Sequence, residues 1–428
     1  MRKVSVRAVW AGLGLAALGC GSPTLLPPPV GGCPPQVGRA APPAGATSAT
    51  TKGCPAATAV QPDAAAKPGD RLALGLEQTS LALGEGRWAV KVTVPAARYV
   101  TIGVAGPAKA LVAFDVIGDG ALRRLRTGAV KDDGLLPAFL SFETPAEEQI
   151  LTVVVDVEAP VTLLRVAADP TDIGERSRRA LRLGKAQPRL LVGLPAPIER
   201  RAGYLFQMPQ RYAFLRADVA AALRAALRQT KIRFKGNGIA IGDATQWNGD
   251  KPASDRGKPR HIHHDQGRDI DLGLPSSDDS PSLLQRRCEG VLVEKDELKC
   301  GPGTVQNLGA RRLAYFLGLL IDGPTPGGRH VPDADRRSGP LAEVESILTD
   351  QAYVDEIRKA LPALRRKRWI HDEAFGALGE EGLLRPSSWH TDHVHITFKG
   401  ESALVPEALR FEAQPPPGGG PSAPPKGR

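Results

Sequence analysis

Six of the eight histidines in this 428-residue chain fall in two short windows far apart in sequence: His261, His263 and His264 in one, His390, His393 and His395 in the other. A chain that brings these imidazoles to one point must lay the two windows side by side, which is a strong constraint on its fold. The second window reads as a strand. Val394, Ile396 and Phe398 alternate with His393, His395 and Thr397, so the two histidines share one face, ~6.6 Å apart along it. In the first window Asp271 follows His264 after six intervening residues, and Gly267 permits a sharp turn between them. Ile270 and Leu272 flank Asp271 as apolar neighbours do on the opposite face of a strand.

Zinc takes neutral imidazole and carboxylate ligands, and a hydrolytic site keeps three protein ligands so that water can fill the open position. Two histidines and one aspartate suit that set. Of His393 and His395, one can bind a metal while the other reaches its water. A lone His-x6-Asp is equally a core histidine hydrogen-bonded to a carboxylate. Joined to a His-x-His, with His261 and His390 each three residues ahead of His264 and His393, it reads as a metal centre. His263 is expected to point away and reads as structural; His330 and His371 stand alone.

Around these windows the pattern is mixed. Residues 70–170 alternate with period two, most plainly at Trp88, Val90, Val92 and Val94. Further strands are expected at Tyr99–Val104, Leu111–Ile117 and Ile150–Val157, a spacing that suggests a small antiparallel sandwich. After a linker over 171–200, Val219, Leu223 and Leu227 form one apolar helical stripe on Asp218–Gln229. Ile239–Asp243 reads as a buried strand and Leu313–Ile321 as an apolar helix, while Val344–Leu348 and Val354–Leu361 read as continuing helix. The fold class expected is α+β: a small antiparallel sheet with flanking helices over 201–412, preceded by an all-β sandwich-like domain.

The first twenty residues address the chain to an envelope. Arg2, Lys3 and Arg7 precede an apolar run, Ala8–Leu18, too short to span a bilayer. Leu15-Ala16-Ala17-Leu18-Gly19-Cys20 resembles a bacterial lipobox, which makes Cys20 the expected lipid anchor; an ordinary cleaved signal is the alternative. Gly21 and Ser22 carry no inner-membrane retention aspartate, so a periplasmic, outer-membrane location is expected. Residues 21–69 are Pro-, Ala- and Gly-rich and read as a tether, and 413–428 as a similar tail. Cys33, Cys54, Cys288 and Cys300 admit three pairings, with nearest neighbours the simplest. None has a zinc-binding spacing. The net charge of +10, from 56 Lys and Arg against 46 Asp and Glu, reads as a solvated basic surface. No basic stripe interleaved with aromatics points to nucleic acid.

With these residues in view, the chain over about Gly203–Gly400 resembles the zinc peptidases that include lysostaphin-type enzymes, D-Ala-D-Ala metallopeptidases and, most closely, penicillin-insensitive murein endopeptidases. The stretches that carry it are Arg211-Tyr212, Ile241-Gly242-Asp243, His261 through Asp271, and Arg385 through His395. The resemblance implies Zn2+ held by His264, Asp271 and His395, with His393 catalytic and His390 assisting. His261 is then either a further ligand in the resting enzyme or a group that orients one. Related carboxypeptidases use a glutamate upstream of the last ligand where this chain offers His390 and His393. The lipid anchor, tether and β-domain lie outside the family pattern.

The chemistry fits the residues as well, since zinc lowers the pKa of bound water to ~7 and a neighbouring neutral imidazole can accept its proton. His390 is expected to stabilise the oxyanion or return a proton to the leaving amine. There is no His-Glu-x-x-His, Gly-x-Ser-x-Gly or Ser-x-x-Lys. The expectation is a zinc endopeptidase acting on peptidoglycan cross-links, at the D-Ala to diaminopimelate bond. The alternatives are a zinc D,D- or L,D-carboxypeptidase on stem peptides and a non-catalytic zinc-bearing wall-binding lipoprotein.

Overall fold

Alternation of large apolar and polar side chains makes residues 72–168 a pair of sheets. The structure is a computed structural model. It describes residues 72–411, apart from 97–98, 108–109, 119–124, 127–136, 146, 169–188, 198–201, 258, 262, 279, 281, 295–296, 302 and 324–341. These belong to one compact unit, 36–428. The signal with Cys20, the tether with Cys33 and Cys54, most of the linker, the tail and His330 lie outside the described residues.

Nine strands come first: β1 (Leu72–Leu74), β2 (Ser80–Leu83), β3 (Gly86–Val94), β4 (Tyr99–Ala105), β5 (Leu111–Ile117), β6 (Leu125–Arg126), β7 (Ala138–Glu143), β8 (Gln149–Val157) and β9 (Val161–Ala168). They form a five-stranded sheet, β1-β3-β8-β5-β6, and a four-stranded one, β2-β9-β4-β7. Trp88, Val90, Val92, Val153 and Val155 of the first share one core with Val100, Ile102, Val104, Phe142 and Leu163 of the second. Each such side chain, fully buried, contributes about 1.5–3 kcal/mol.

The remaining elements are β10 (Leu191–Gly193), β11 (Tyr204–Phe206), β12 (Phe214–Arg216), α1 (Ala217–Phe234), β13 (Ile239–Ile241), β14 (Asp269–Gly273), β15 (Val291–Glu294) and β16 (Glu297–Cys300). After them come α2 (Ala310–Asp322), β17 (Val344–Thr349), α3 (Gln351–Arg366), α4 (Asp372–Ala377), β18 (Leu384–Pro386) and β19 (His393–Phe398). Six strands pair in the order β11-β13-β14-β19-β17-β18. Ile270, Leu272, Val394 and Ile396 pack with Leu223, Leu227, Leu313, Phe316 and Ile357 of the helices. The helices therefore cover one face of this sheet, and Asp269 and Asp271, of opposite pleat parity, are left on the other. The described residues are thus a mixed α/β chain of several small sheets and few helices, compatible with α+β.

The expected helix at Val344–Leu348 is instead strand β17. Its buried residues Val344 and Ile347 are three apart, a helical spacing, because a register irregularity between Val344 and Ser346 interrupts the period of two. Pairing with β19 on one side and β18 on the other overrides the local pattern. The nine-stranded part touches the rest through Phe139 of β7, whose ring stands edge-on to Phe214 of β12 at 5.2 Å, and through Tyr99 of β4, whose Oη accepts from Arg224 of α1 at 2.9 Å.

Candidate metal centre

The centre is built on the antiparallel pair β14 and β19, whose register sets Asp271 opposite His395, Asp269 opposite Thr397 and Gly273 opposite His393. Residues directly opposite in such a pair have Cβ atoms about 4.5–5.5 Å apart, so Asp271 and His395 meet by pairing alone. His264 arrives from the preceding loop. That loop reverses at Gln266 and Gly267, both with positive φ (63° and 73°), and is held by the Gly267 N–H on Thr245 Oγ1 at 2.9 Å. A Cβ at Gly267 would lie 2.9 Å from Arg216 N, so the turn requires glycine on two counts.

Three atoms converge: His264 Nε2 and His395 Nδ1 are 2.9 Å apart, Asp271 Oδ1 is 3.0 Å from His395 Nδ1, and His264 Nε2 is 3.1 Å from Asp271 Oδ1. The outward ring nitrogens decide the proton positions. His264 Nδ1–H donates to Ala244 O at 3.3 Å. His395 Nε2–H donates to Thr397 Oγ1 at 3.2 Å with Asp269 Oδ1 at 3.4 Å, and the Thr397 hydroxyl donates to Asp269 at 2.7 Å. In the neutral tautomers so fixed, the three inward atoms are all acceptors, in a place where His264, Asp271 and His395 are 1, 2 and 5% exposed. Such a cluster needs a shared proton or a bound cation, and could hold a metal ion. Ligand atoms about 2.1 Å from one tetrahedral zinc are about 3.4 Å apart, a few tenths of an ångström wider than this triangle.

His261 is less committed. Its Nε2 lies 3.7 Å from Asp271 Oδ2, but it donates to Asp243 Oδ2 at 2.9 Å, and Arg260 holds the other oxygen of Asp243 at 2.8 Å. His261, His264 and Asp271 offer ligand atoms within 4.8 Å of one another and could together hold a metal ion. His395 Nδ1 sits nearer to the shared pair, and His261 reaches it only by giving up its bond to Asp243.

His393 and His390 lie beside this cluster. His393 Nε2 is 3.5 Å from Asp271 Oδ1, while its Nδ1–H donates to Asp392 Oδ1 at 2.6 Å. His390 Nδ1–H donates to Ser388 O at 2.9 Å, and its ring centroid lies 4.9 Å from that of His393. His263 is exposed. His371 precedes α4, where its N–H donates to Asp322.

Burial opposes charge on these groups and is outweighed at most of them. Burial raises the Asp271 carboxyl, but the His264 charge and the hydrogen bonds of His264 and His395 hold it well below the usual carboxylate range. Burial lowers His395, yet hydrogen bonds to Asp269 and Asp271 push it up to about 9 without a metal. His393 is raised against burial by Asp392, whereas burial keeps His390 low.

Further contacts brace the loop that carries His390. Cys288 and Cys300 are disulfide-bonded and close the β15–β16 hairpin, on which Leu298 O accepts from the Trp389 N–H at 3.0 Å. Tyr353 Oη donates to Thr391 O and accepts from the Arg287 N–H, both at 2.7 Å, and the Asp350 N–H donates to His390 O at 3.2 Å. The sequence pattern assigns no role to Asp243, Asp269, Asp392, Thr397 or Tyr353. Strand parity could have found Asp269 and Thr397, two residues from Asp271 and His395 on the same face; nothing local marks Tyr353.

No family model and no curated protein matches this chain. Among solved structures it is similar to a periplasmic inhibitor of g-type lysozyme from Aeromonas hydrophila, at a TM-score of 0.16 and 18% identity, over 23% of this chain and 96% of that one. A likeness at that level bears on neither the centre nor its chemistry.

Proposed function

We propose that this protein is a zinc-dependent peptidase that cuts peptide cross-links in peptidoglycan, at the D-Ala to diaminopimelate bond, as the resemblance to penicillin-insensitive murein endopeptidases implies. In this reading residues 201–412 are the peptidase, the all-β module ahead of it is an accessory domain, and Cys20 anchors the chain to the outer membrane on its periplasmic side. One observation carries the reading: three acceptor atoms within 3.1 Å of one another, with a fourth side chain, His393, presenting a free nitrogen 3.5 Å from their carboxylate.

His264 Nε2, Asp271 Oδ1 and His395 Nδ1 would hold the zinc, which supplies Lewis acidity and acidifies water to a pKa of about 7. Ala244, Thr397 and Asp269 fix the two ligand rings in the tautomers that face inward. His393 takes the proton of the attacking water at Nε2, because its Nδ1–H is committed to Asp392. The Asp392 carboxylate stabilises the imidazolium so formed, and the same proton then passes to the leaving amine. His390, kept neutral by burial and with Nδ1–H on Ser388 O, presents Nε2 as an acceptor. That favours holding a water or a substrate N–H over stabilising an oxyanion.

The test is a digest of purified muropeptide dimer with metal analysis alongside. The wild type converts dimer to monomer without trimming the stem. His393→Ala retains about one zinc per chain and loses conversion by at least about a hundredfold, the usual worth of a general base. A zinc-loaded wild type that leaves dimers intact refutes the enzyme, and trimming of monomer stems alone refutes the endopeptidase.

A further inference from the structure

Positive charge that sequence spreads over three distant segments is gathered in space around one indole. Trp369 is half-buried just beyond α3, with Phe234 at 5.9 Å and Tyr315 at 6.0 Å from its ring. The Arg233 guanidinium lies 4.6 Å from that ring, Arg311 4.7 Å and Lys367 Nζ 5.1 Å. They come from the last turn of α1, the first turn of α2 and the residue after α3. Lys235, Arg366 and Arg368 are exposed beside them, and Ile232 is 64% exposed on the same end of α1.

Cations in the last turns of α1 and α3 match the helix dipoles, and a stability role would explain those alone. It does not explain Arg311. That residue stands second in α2, where a cation is disfavoured and where no acidic residue occupies the first turn. Arg365 is paired with Asp372 at 2.7 Å, but Arg233, Arg311 and Lys367 make no ion pair among the described residues. Each lies within about 5 Å of one centroid, so the three repel one another across roughly one Debye length of 0.1 M salt or less. An external anion relieves that repulsion.

The shape and setting select the anion's source. The patch is the common end of three helices, with an exposed aliphatic side chain and an amphipathic indole among the cations, which is the composition of a surface that rests in a headgroup layer. It also lies at the far end from the metal centre. α1 begins beside the His264 loop, with the Arg216 N–H on Gly267 O, and runs 18 residues, about 27 Å. α3 begins at Asp350, bonded to His390 O, and runs 16 residues, about 24 Å.

We infer that the Arg233–Arg311–Lys367 cluster around Trp369 seats this protein on an anionic phospholipid surface, with the metal centre turned away from it. The inference stands whether or not the centre is a peptidase. Cosedimentation tests it, using the full chain with Cys20→Ala in every arm so that no attached lipid contributes and the apolar run near residue 8 is common to all. Wild type partitions onto vesicles one-third phosphatidylglycerol and not onto phosphatidylcholine. The triple variant Arg233→Gln, Arg311→Gln, Lys367→Gln binds about a hundredfold more weakly, from roughly fivefold per charge. Should the triple variant melt early, Arg311→Gln and Lys367→Gln singly each cost about fivefold. Equal binding by wild type and variants, indifference to lipid charge, or tighter retention on isolated sacculi or an oligonucleotide than on vesicles overturns the proposal.

Discussion

Asp269 offers the sharpest test of the centre, because it touches no inward atom of the cluster yet orients the His395 ring from its outward side. Its carboxylate accepts the Thr397 hydroxyl at 2.7 Å and lies 3.4 Å from His395 Nε2, at 1% exposure. Asp269→Asn keeps the shape and one acceptor oxygen while removing the charge. At an effective dielectric of about 20 that charge is worth at most about 5 kcal/mol to a unit positive charge at this distance. Most of it is offset by the retained hydrogen bond and by the desolvation cost that Asp269 itself no longer carries. Outer partners of metal-binding histidines are generally worth 10–100-fold in affinity, or about 1.4–2.7 kcal/mol, and that is the loss expected here. Competition against a chromophoric zinc chelator at neutral pH measures it, with circular dichroism as the control for folding. An affinity unchanged within about twofold would mean that His395 Nε2 is not oriented by Asp269, and the assignment of Nδ1 as the inward donor would fall with it.

Three further outcomes follow from the same geometry. Tyr353→Phe strands the buried Arg287 N–H and Thr391 C=O and should cost about 2–5 kcal/mol, seen as a lower denaturant midpoint at constant slope; a shift below 1 kcal/mol contradicts the bracing role. Gly267→Ala forces a Cβ into a residue with φ of 73° and against Arg216 N, so a loss of roughly 1–3 kcal/mol with weakened metal binding is expected. His395 is raised from 6.5 to about 9 in the metal-free chain, so its contribution to stability is fully present below about pH 6.5 and is lost as pH rises through about 9. The same proton competes with the cation. Metal affinity should therefore climb about tenfold per pH unit from 7 towards 9, with one proton released per ion in calorimetry across buffers of different ionisation enthalpy; a flat profile refutes the coupling.

Much of the centre was legible before any fold was known, because strand parity acts over two residues. Val394, Ile396 and Phe398 alternating with His393, His395 and Thr397 already say which side chains share a face, and Ile270 and Leu272 say the same of Asp271. Gly267 announced its turn. Trp88, Val90, Val92 and Val94 likewise revealed β3, since a sheet with one buried face needs that period. Strand β17 carries a helical spacing because an irregularity places Val344 and Ile347 three apart, and only its pairing partners resolve that ambiguity.

What sequence determined alone, then, was local: the identity of the donors, their parity on each strand and the glycine at the turn, all set by backbone sterics within a few residues. Tertiary structure decided which atoms meet. It set Asp271 against His395 through one antiparallel register, left His261 on Asp243, and drew Tyr353 under the loop that carries His390. It also brought Arg233, Arg311 and Lys367 to a single indole. Contacts across such separations arise from packing a common core, whose side chains carry no local record of the partner they will face.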